Sequence, residues 1–366
     1  METLAQETVD TSSIFAQITQ NAHEQVVFCH DKDTGLKAII AIHNTVLGPA
    51  AGGTRMWMYQ NEADALKDVL RLSRGMTFKN AISGLNLGGG KAVIIGDARK
   101  HKSETLFRSF GRFVESLSGK YITAEDVGIS TADIEYMAME TSHVAGKPEY
   151  MGGSGDPSPV TAYGVYMGMK ASAKRVFGTD SLNGKRIALQ GVGHVGEYLL
   201  GHLVKENTTI FISDFYEDRA KEISERYKVE VVDKDKIYDL DVDIYAPCAL
   251  GATLNDDTIS RLKCAIVAGA ANNQLADEQV HGDMCKNKGI LYAPDFLINA
   301  GGIINVYYEI IDNYNRDRVY KHAEKIYDFT THIFDTAQRE GINTQQAALQ
   351  VALKRIDDIG KLKMTY

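Results

Sequence analysis

The sequence predicts an α/β protein of two domains, an N-terminal α/β unit followed by a C-terminal unit wound around a parallel sheet. Three observations carry this. The 366 residues exceed what one ordinary core organises. From residue 185 onward, short β-branched runs ("RIALQ", "TIFISD", "VEVV", "VDIYAP", "CAIVAG", "GILYAP") alternate with helical stretches, as in a parallel sheet with helices on both faces. Between the halves, 147–159 gathers three of the six prolines among Gly and Ser, a linker composition.

Element by element, residues 1–12 are polar and expected to be loosely ordered. "LKAIIAIHNT", 36–45, reads as a strand. "LGPAAGGTRMW", 47–57, is a Gly/Pro loop leading to a second strand or bend. Residues 62–82 carry Ala65, Leu66, Val69, Leu70, Leu72 and Met76 at helical period, with Lys79 on the shoulder of that face. A strand follows at 91–95, a helix at 103–118, and "YIT", 121–123, as a strand with Ala124, Glu125 and Asp126 at its carboxyl end. A helix is expected over 160–176, and two helices over 317–360 with a break near Gly341.

Composition narrows the function. A net charge of −8 argues against nucleic acid or an anionic membrane as partner. Cys29, Cys248, Cys264 and Cys285 form no C-x-x-C pair or metal-type cluster and read as reduced cytoplasmic thiols. Residues 1–20 do not read as a signal peptide, and no run approaches a membrane span.

"GVGHVG" sets Gly191, Gly193 and Gly196 in a G-x-G-x-x-G pattern, with Val192, His194 and Val195 between them. It follows one predicted strand and opens a helix, and the next strand ends in Asp214. That combination is a dinucleotide site: glycines for the turn and for close approach of the diphosphate, and an acid for the ribose 2′-hydroxyl. Asp214 would repel a 2′-phosphate, and Phe215 and Tyr216 offer no cation to hold one, so NAD is expected over NADP. The C-terminal domain therefore reads as a Rossmann-type, doubly wound fold over 150–340. Residues 1–149 with 341–366 are expected to form the substrate, catalytic and oligomerisation domain.

The first half must supply the chemistry, and "GLNLGGGKAVII" draws attention to Lys91. It is no phosphate loop, because Leu85 stands where the first glycine belongs, Ala92 follows the lysine, and the strand comes after it. Lys79 reads singly as a snorkelling helix lysine, Lys91 as a solvated strand end, and Asp126 as a possible cap. Taken together, Lys91 has no sequence neighbour that is acidic, and beside a second cation it would serve as a general base near neutral pH. The three glycines are expected to let backbone and substrate approach closely, clearing space around it.

"LGPAAGGTRMW", "LRLSRGMTFKNAISGLNLGGGKAVIIGD", "YITAEDVG", "GDPSPVTAYGVY", "APCALGATLND", "AGAANNQL" and "APDFLINAGGIINV" resemble the Glu/Leu/Phe/Val dehydrogenase family, most closely its leucine-type members, over about residues 23–360. The resemblance implies reversible NAD-dependent oxidative deamination of an L-amino acid to a 2-oxo acid and ammonium, in a homo-oligomer. It implies that Lys79 binds the substrate carboxylate, that Lys91 activates water and stabilises the carbinolamine oxygen, and that Asp126 shuttles protons. Thr161 and Asn273 would lie by nicotinamide and substrate, and Cys248 and Ala249 by the cofactor.

The family's side-chain pocket falls on Ala51, Gly52, Gly53, Ala124, Ile303 and Val306. Glutamate enzymes carry a lysine where this chain has Ala51, so no cation awaits a γ-carboxylate, and burying one unpaired would cost several kcal/mol. Leucine-type members usually carry Leu at 51 and Val at 303, so one change enlarges the pocket and the other trims it. Ala124 is the leucine-type residue. Branched aliphatic substrates are expected, with an aromatic-substrate member of the same family as the rival and an inactive NAD-binding protein as the distant one. His194 departs from the family's usual Asn.

Overall fold

The computed structural model describes residues 13–362. Residues 1–12, expected to be loosely ordered, lie outside the described residues. By their contacts, Asn86–Gly153 join the residues before Ile82 in one compact unit, and Ile82–Leu85 with Ser154–Lys361 make a second.

The first unit begins with α1 (Ile14–Gln20), capped by the Ser13 hydroxyl. Then come β1 (Gln25–Asp31), β2 (Leu36–Asn44), β3 (Ala50–Ala51) and β4 (Thr54–Trp57). Helix α2 (Glu62–Ile82) follows with the predicted bounds. After it come β5 (Gly88–Ile95), α3 (Glu104–Glu115), β6 (Tyr121–Ile122) and α4 (Thr131–Ala138). The sheet runs β1-β2-β5-β3-β6, with β4 also beside β5. β1 and β2 pair antiparallel to their neighbours, while β3, β4 and β6 run parallel within it. Helices cover both faces, which is why β2 is apolar at consecutive positions. Ile39, Ala41 and Val93 face Leu66, Val69 and Leu70 of α2. Ile40, Ile42 and Ile94 face Phe107, Phe110 and Met137 from α3 and α4.

The second unit opens with α5 (Ser158–Phe177), then β7 (Arg186–Gln190), α6 (His194–Leu203), β8 (Thr209–Ser213), α7 (Glu217–Tyr227), β9 (Glu230–Val231) and β10 (Ile244–Pro247). It continues with α8 (Asp256–Arg261), β11 (Ile266–Val267), α9 (Glu278–Asn287), β12 (Leu291–Tyr292), α10 (Asp295–Ile298) and α11 (Gly301–Ile310). The six strands are parallel in the order β12-β11-β10-β7-β8-β9, the doubly wound topology expected.

The tail holds three helices where two were expected: α12 (Arg316–Glu324), α13 (Ile326–Glu340) and α14 (Thr344–Gly360). The extra break at Lys325 has no Gly or Pro to signal it, whereas the one at Gly341 takes a left-handed φ of 67°. α14 packs on α13, α9 and β12 and so groups with the second unit, whereas the sequence reading assigned 341–366 to the first.

Candidate active site

Lys91 lies within β5, not at its start. Its register partner is Ala41, and with Ala41 and Val93 it points to the α2 face. The preceding glycines are part of the same strand, and what approaches them is backbone, as expected, and a tyrosine ring. A Cβ at Gly88 would stand 2.0 Å from the Asn44 carbonyl oxygen, one at Gly89 2.2 Å from the Thr77 backbone nitrogen, and one at Gly90 2.7 Å from the Tyr121 ring. The triple glycine lets α2, β2 and Tyr121 close directly onto the strand; it packs protein against protein. Asn80 fastens the same junction by donating from Nδ2 to the Gly88 carbonyl at 2.6 Å. Lys79, half-buried in the last turn of α2, is thereby set by a helix gripped at Thr77 and Asn80.

Asp126 follows β6 in a loop tied alongside β4. The Thr54 N–H donates to Ala124 O at 2.8 Å and the Met56 N–H to Val127 O at 2.9 Å. Gly53 permits this, since a Cβ there would stand 2.2 Å from the Glu125 carbonyl oxygen. Gly52 likewise sits where a Cβ would be 1.9 Å from the Gly90 carbonyl oxygen. Asp126 caps no helix; Ser130 caps α4.

The loop delivers a carboxylate to Lys91 that sequence proximity did not. Lys91 Nζ lies 3.0 Å from Asp126 Oδ2, with 8% of the lysine side chain and 24% of the aspartate side chain exposed. The lysine that has no acid beside it in sequence is ion-paired in the fold. Burial pushes the Asp126 carboxyl up, but Lys91 and Arg55 beside it outweigh this and hold it below its ordinary value.

Arg55 was passed over in the sequence, although "GGTRMW" contains it. Its Nε donates to Asp126 Oδ2 and its Nη1 to Asp68 Oδ2, each at 3.1 Å. The Tyr59 hydroxyl donates to the same Asp68 oxygen at 2.8 Å. No local pattern could have found this, because Asp126 lies 71 residues from Arg55. Nearby, Ala51 is fully buried on β3 and Ala124 half-buried.

In the second unit, Gly191 takes φ 95°. A Cβ on it would meet the Ala249 nitrogen at 2.8 Å, so the turn after β7 and the Cys248–Ala249 turn after β10 touch where the strand order reverses. A Cβ on Gly196 would stand 2.1 Å from the Gly191 carbonyl oxygen, whereas one on Gly193, which opens α6, would meet nothing. The open side of the loop is therefore the α6 N-terminus, whose free N–H groups suit an anion. Val195 is half-buried and His194 exposed at the head of the helix. The Asp214 carboxylate accepts the Val192 N–H at 2.8 Å and the Tyr216 N–H at 3.0 Å, two of the bonds that its two oxygens can accept. A cation the sequence reading missed also reaches this loop: Arg219 Nε donates to Val192 O at 3.2 Å. Its other nitrogens are engaged by Glu197 and Glu222.

Cys248 Sγ accepts the Ala270 N–H at 3.3 Å, and burial pushes its thiol up to about 12, so it is no nucleophile. The Thr161 hydroxyl donates to Pro157 O at 2.9 Å. Asn273 is exposed with φ 51°. On α11, Ile303 is half-buried and Val306 buried. The expected residues thus fall into two groups, one on each unit.

Comparison with known proteins identifies the family of the chain. Residues 23–143 match the Glu/Leu/Phe/Val dehydrogenase dimerisation domain, and residues 212–363 match the Glutamate/Leucine/Phenylalanine/Valine dehydrogenase domain. The chain is 54% identical over 353 residues to leucine dehydrogenase of Thermoactinomyces intermedius, covering 96% of each chain. It is 47% identical over 340 residues to valine dehydrogenase of Streptomyces coelicolor, covering 92% of this chain and 93% of the relative. Among solved structures, L-tryptophan dehydrogenase from Nostoc punctiforme superposes with a TM-score of 0.84 at 45% identity, over 95% of this chain and 100% of that one.

Proposed function

The chain belongs to the Glu/Leu/Phe/Val dehydrogenase family, and from that premise we propose that it reversibly converts branched-chain aliphatic L-amino acids, leucine first, into 2-oxo acids and ammonium with NAD. It is an amino-acid dehydrogenase and uses a nicotinamide cofactor. The observation that carries the chemistry is the Lys91–Asp126 ion pair, 3.0 Å apart in the first unit.

Gly191, Gly193 and Gly196 with the α6 N-terminus fit a diphosphate, and Asp214 fits an adenosine ribose. The open side of Gly193 supports this, as does an Arg219 already engaged by acids and so poorly placed to favour a 2′-phosphate. Thr161, Asn273 and the Cys248–Ala249 turn complete that proposed site. When bound, the nicotinamide supplies the hydride acceptor. Lys79 takes the substrate carboxylate. Asp126 accepts a proton from the substrate ammonium, so that the amine lone pair assists departure of hydride from Cα. Lys91 holds the water that adds to the resulting imine and stabilises the carbinolamine oxygen. Asp126 then returns a proton to the departing ammonia. Amino acid, water and oxidised nicotinamide give oxo acid, ammonium, reduced nicotinamide and a proton.

On the first unit Ala51, Gly52, Gly53 and Ala124 form an apolar set suited to the side chains of leucine, isoleucine and valine, and Ile303 and Val306 on the second are apolar as well. The small Ala51 side chain also favours a second reading, an aromatic substrate such as that named for the Nostoc relative. Turnover of leucine, valine, phenylalanine, tryptophan and glutamate with NAD and NADP, followed at the reduced-nicotinamide absorbance band, tests both readings. Preference for leucine with NAD is expected. Tryptophan turned over faster than leucine would replace the first reading with the second.

We further propose a cytoplasmic homo-oligomer. The match to a dimerisation domain supports assembly, and the four free thiols support a reducing compartment. Among the described residues no helix is long and apolar enough to cross a membrane.

A further inference from the structure

Arg55 and Lys91 reach Asp126 from different strands but bind the same oxygen. Arg55 Nε donates to Oδ2 at 3.1 Å, and Lys91 Nζ lies 3.0 Å from it. Both of these contacts fall on Oδ2. A carboxylate held at one oxygen by two cations from different directions cannot rotate without breaking one contact. The adjoining Val127 N–H also favours the charged carboxylate.

Arg55 is itself held. Its Nη1 bonds Asp68 on α2, and the Tyr59 hydroxyl and Arg71 bond that aspartate in turn, at 2.8 and 3.0 Å. The Arg55 side chain is 22% exposed and that of Asp68 16%. A planar fork bridging two carboxylates has a fixed orientation, which a lysine's single ammonium cannot reproduce.

We propose that Arg55 is the positioning residue for Asp126: it turns Oδ1 toward the substrate amine and keeps Oδ2 for Lys91. This rests on Asp126 being the proton shuttle. Two contributions follow, one of orientation and one of charge. Orientation acts on kcat, because a carboxylate free to rotate is misaligned for proton transfer. Charge acts on the acid limb of the pH profile, because Arg55 is one of the two cations favouring the carboxylate. The charged groups around Asp126 are Lys91 from β5 and Arg55 from β4, with Asp68 behind Arg55 and Glu125 beside it in the loop.

The test is kcat and the pH dependence of kcat/KM for leucine in Arg55→Met, Arg55→Lys, Asp68→Asn and Asp126→Asn, with reduced-nicotinamide affinity read by fluorescence. Arg55→Met is expected to lose roughly 100-fold in kcat, to shift the acid limb up by about one pH unit, and to bind cofactor normally. Arg55→Lys is expected to keep the limb near wild type yet lose kcat, because the charge is restored and the fork is not. Arg55→Met with wild-type kcat and limb overturns the proposal. Should that variant fail to fold, Asp68→Asn decides: it frees Arg55 without removing its charge, so kcat should fall about tenfold with no upward shift of the limb. Wild-type kcat there overturns the proposal. Asp126→Asn separates this from the underlying reading. Full activity in it sinks the proton-shuttle assignment itself, whereas a dead Asp126→Asn beside an unaffected Arg55→Met sinks only the role of Arg55.

Discussion

Replacing Gly89 with alanine tests whether the triple glycine is packing or substrate space. The new Cβ would stand 2.0 Å from Thr77 Oγ1, 2.2 Å from its nitrogen and 2.5 Å from its Cα. The last two are backbone atoms, so no rotamer change relieves the overlap. Reaching ordinary contact requires α2 and β5 to part by about 1 Å, against a helix also bonded through Asn80. Overpacking of this kind costs about 1–3 kcal/mol, and a backbone clash belongs at the upper end. For a unit of this size that is a Tm lower by roughly 6–12 °C. Thr77 is two residues from Lys79, and a displacement near 1 Å can cost about 100-fold in activity, here as a raised KM for the amino acid. Gly75→Ala in the same helix is the control. Nothing lies within 4 Å of a Cβ there, so the helix should gain about 1 kcal/mol. Thermal unfolding and leucine kinetics on both variants give the answer. A Gly89→Ala protein with wild-type Tm and KM would refute the packing argument and restore the open-space reading.

Three further outcomes are expected. His23 and His43 are buried edge to face at 4.8 Å, bonded to Ser73 at 2.8 Å and Thr77 at 2.7 Å, and burial pushes each down to about 4. Since the unfolded chain takes up these protons near pH 6.5 and the folded chain near 4, stability falls as pH drops through that window, by about 3 kcal/mol for the first histidine. His43→Gln should lose less stability than wild type between pH 7 and 4.5 in urea unfolding; an equal loss would show that these rings do not titrate as argued. Gly196→Ala places a Cβ 2.1 Å from Gly191 O, so affinity for reduced nicotinamide should fall at least tenfold by fluorescence titration. Asp214→Ser should raise the KM for NAD far more than that for NADP, because it removes both the ribose acceptor and the repulsion of a 2′-phosphate.

The second unit's strands and α2 were legible because short β-branched runs and a 3.6-residue apolar period are local signals. So was the glycine turn, where strand, helix and acid occur in fixed order. β1, "QVVFCHD", was missed: at a sheet edge it is only partly buried and its pattern is mixed. The break at Lys325 was missed because no Gly or Pro marks it. The glycines before Lys91 were only half legible: close backbone approach was expected and is found, but a missing side chain looks the same in sequence whether it admits a ligand or a neighbouring helix. Arg55 went unseen because its meaning lies in Asp68 and Asp126, which only the fold brings to it.

The central claim is that Lys91 and Asp126 perform the amine chemistry. Leucine-dependent reduction of NAD by Lys91→Ala, measured by absorbance on protein shown to bind reduced nicotinamide normally, tests it most directly. The account predicts a loss of about 1000-fold or more; turnover within tenfold of wild type would contradict it.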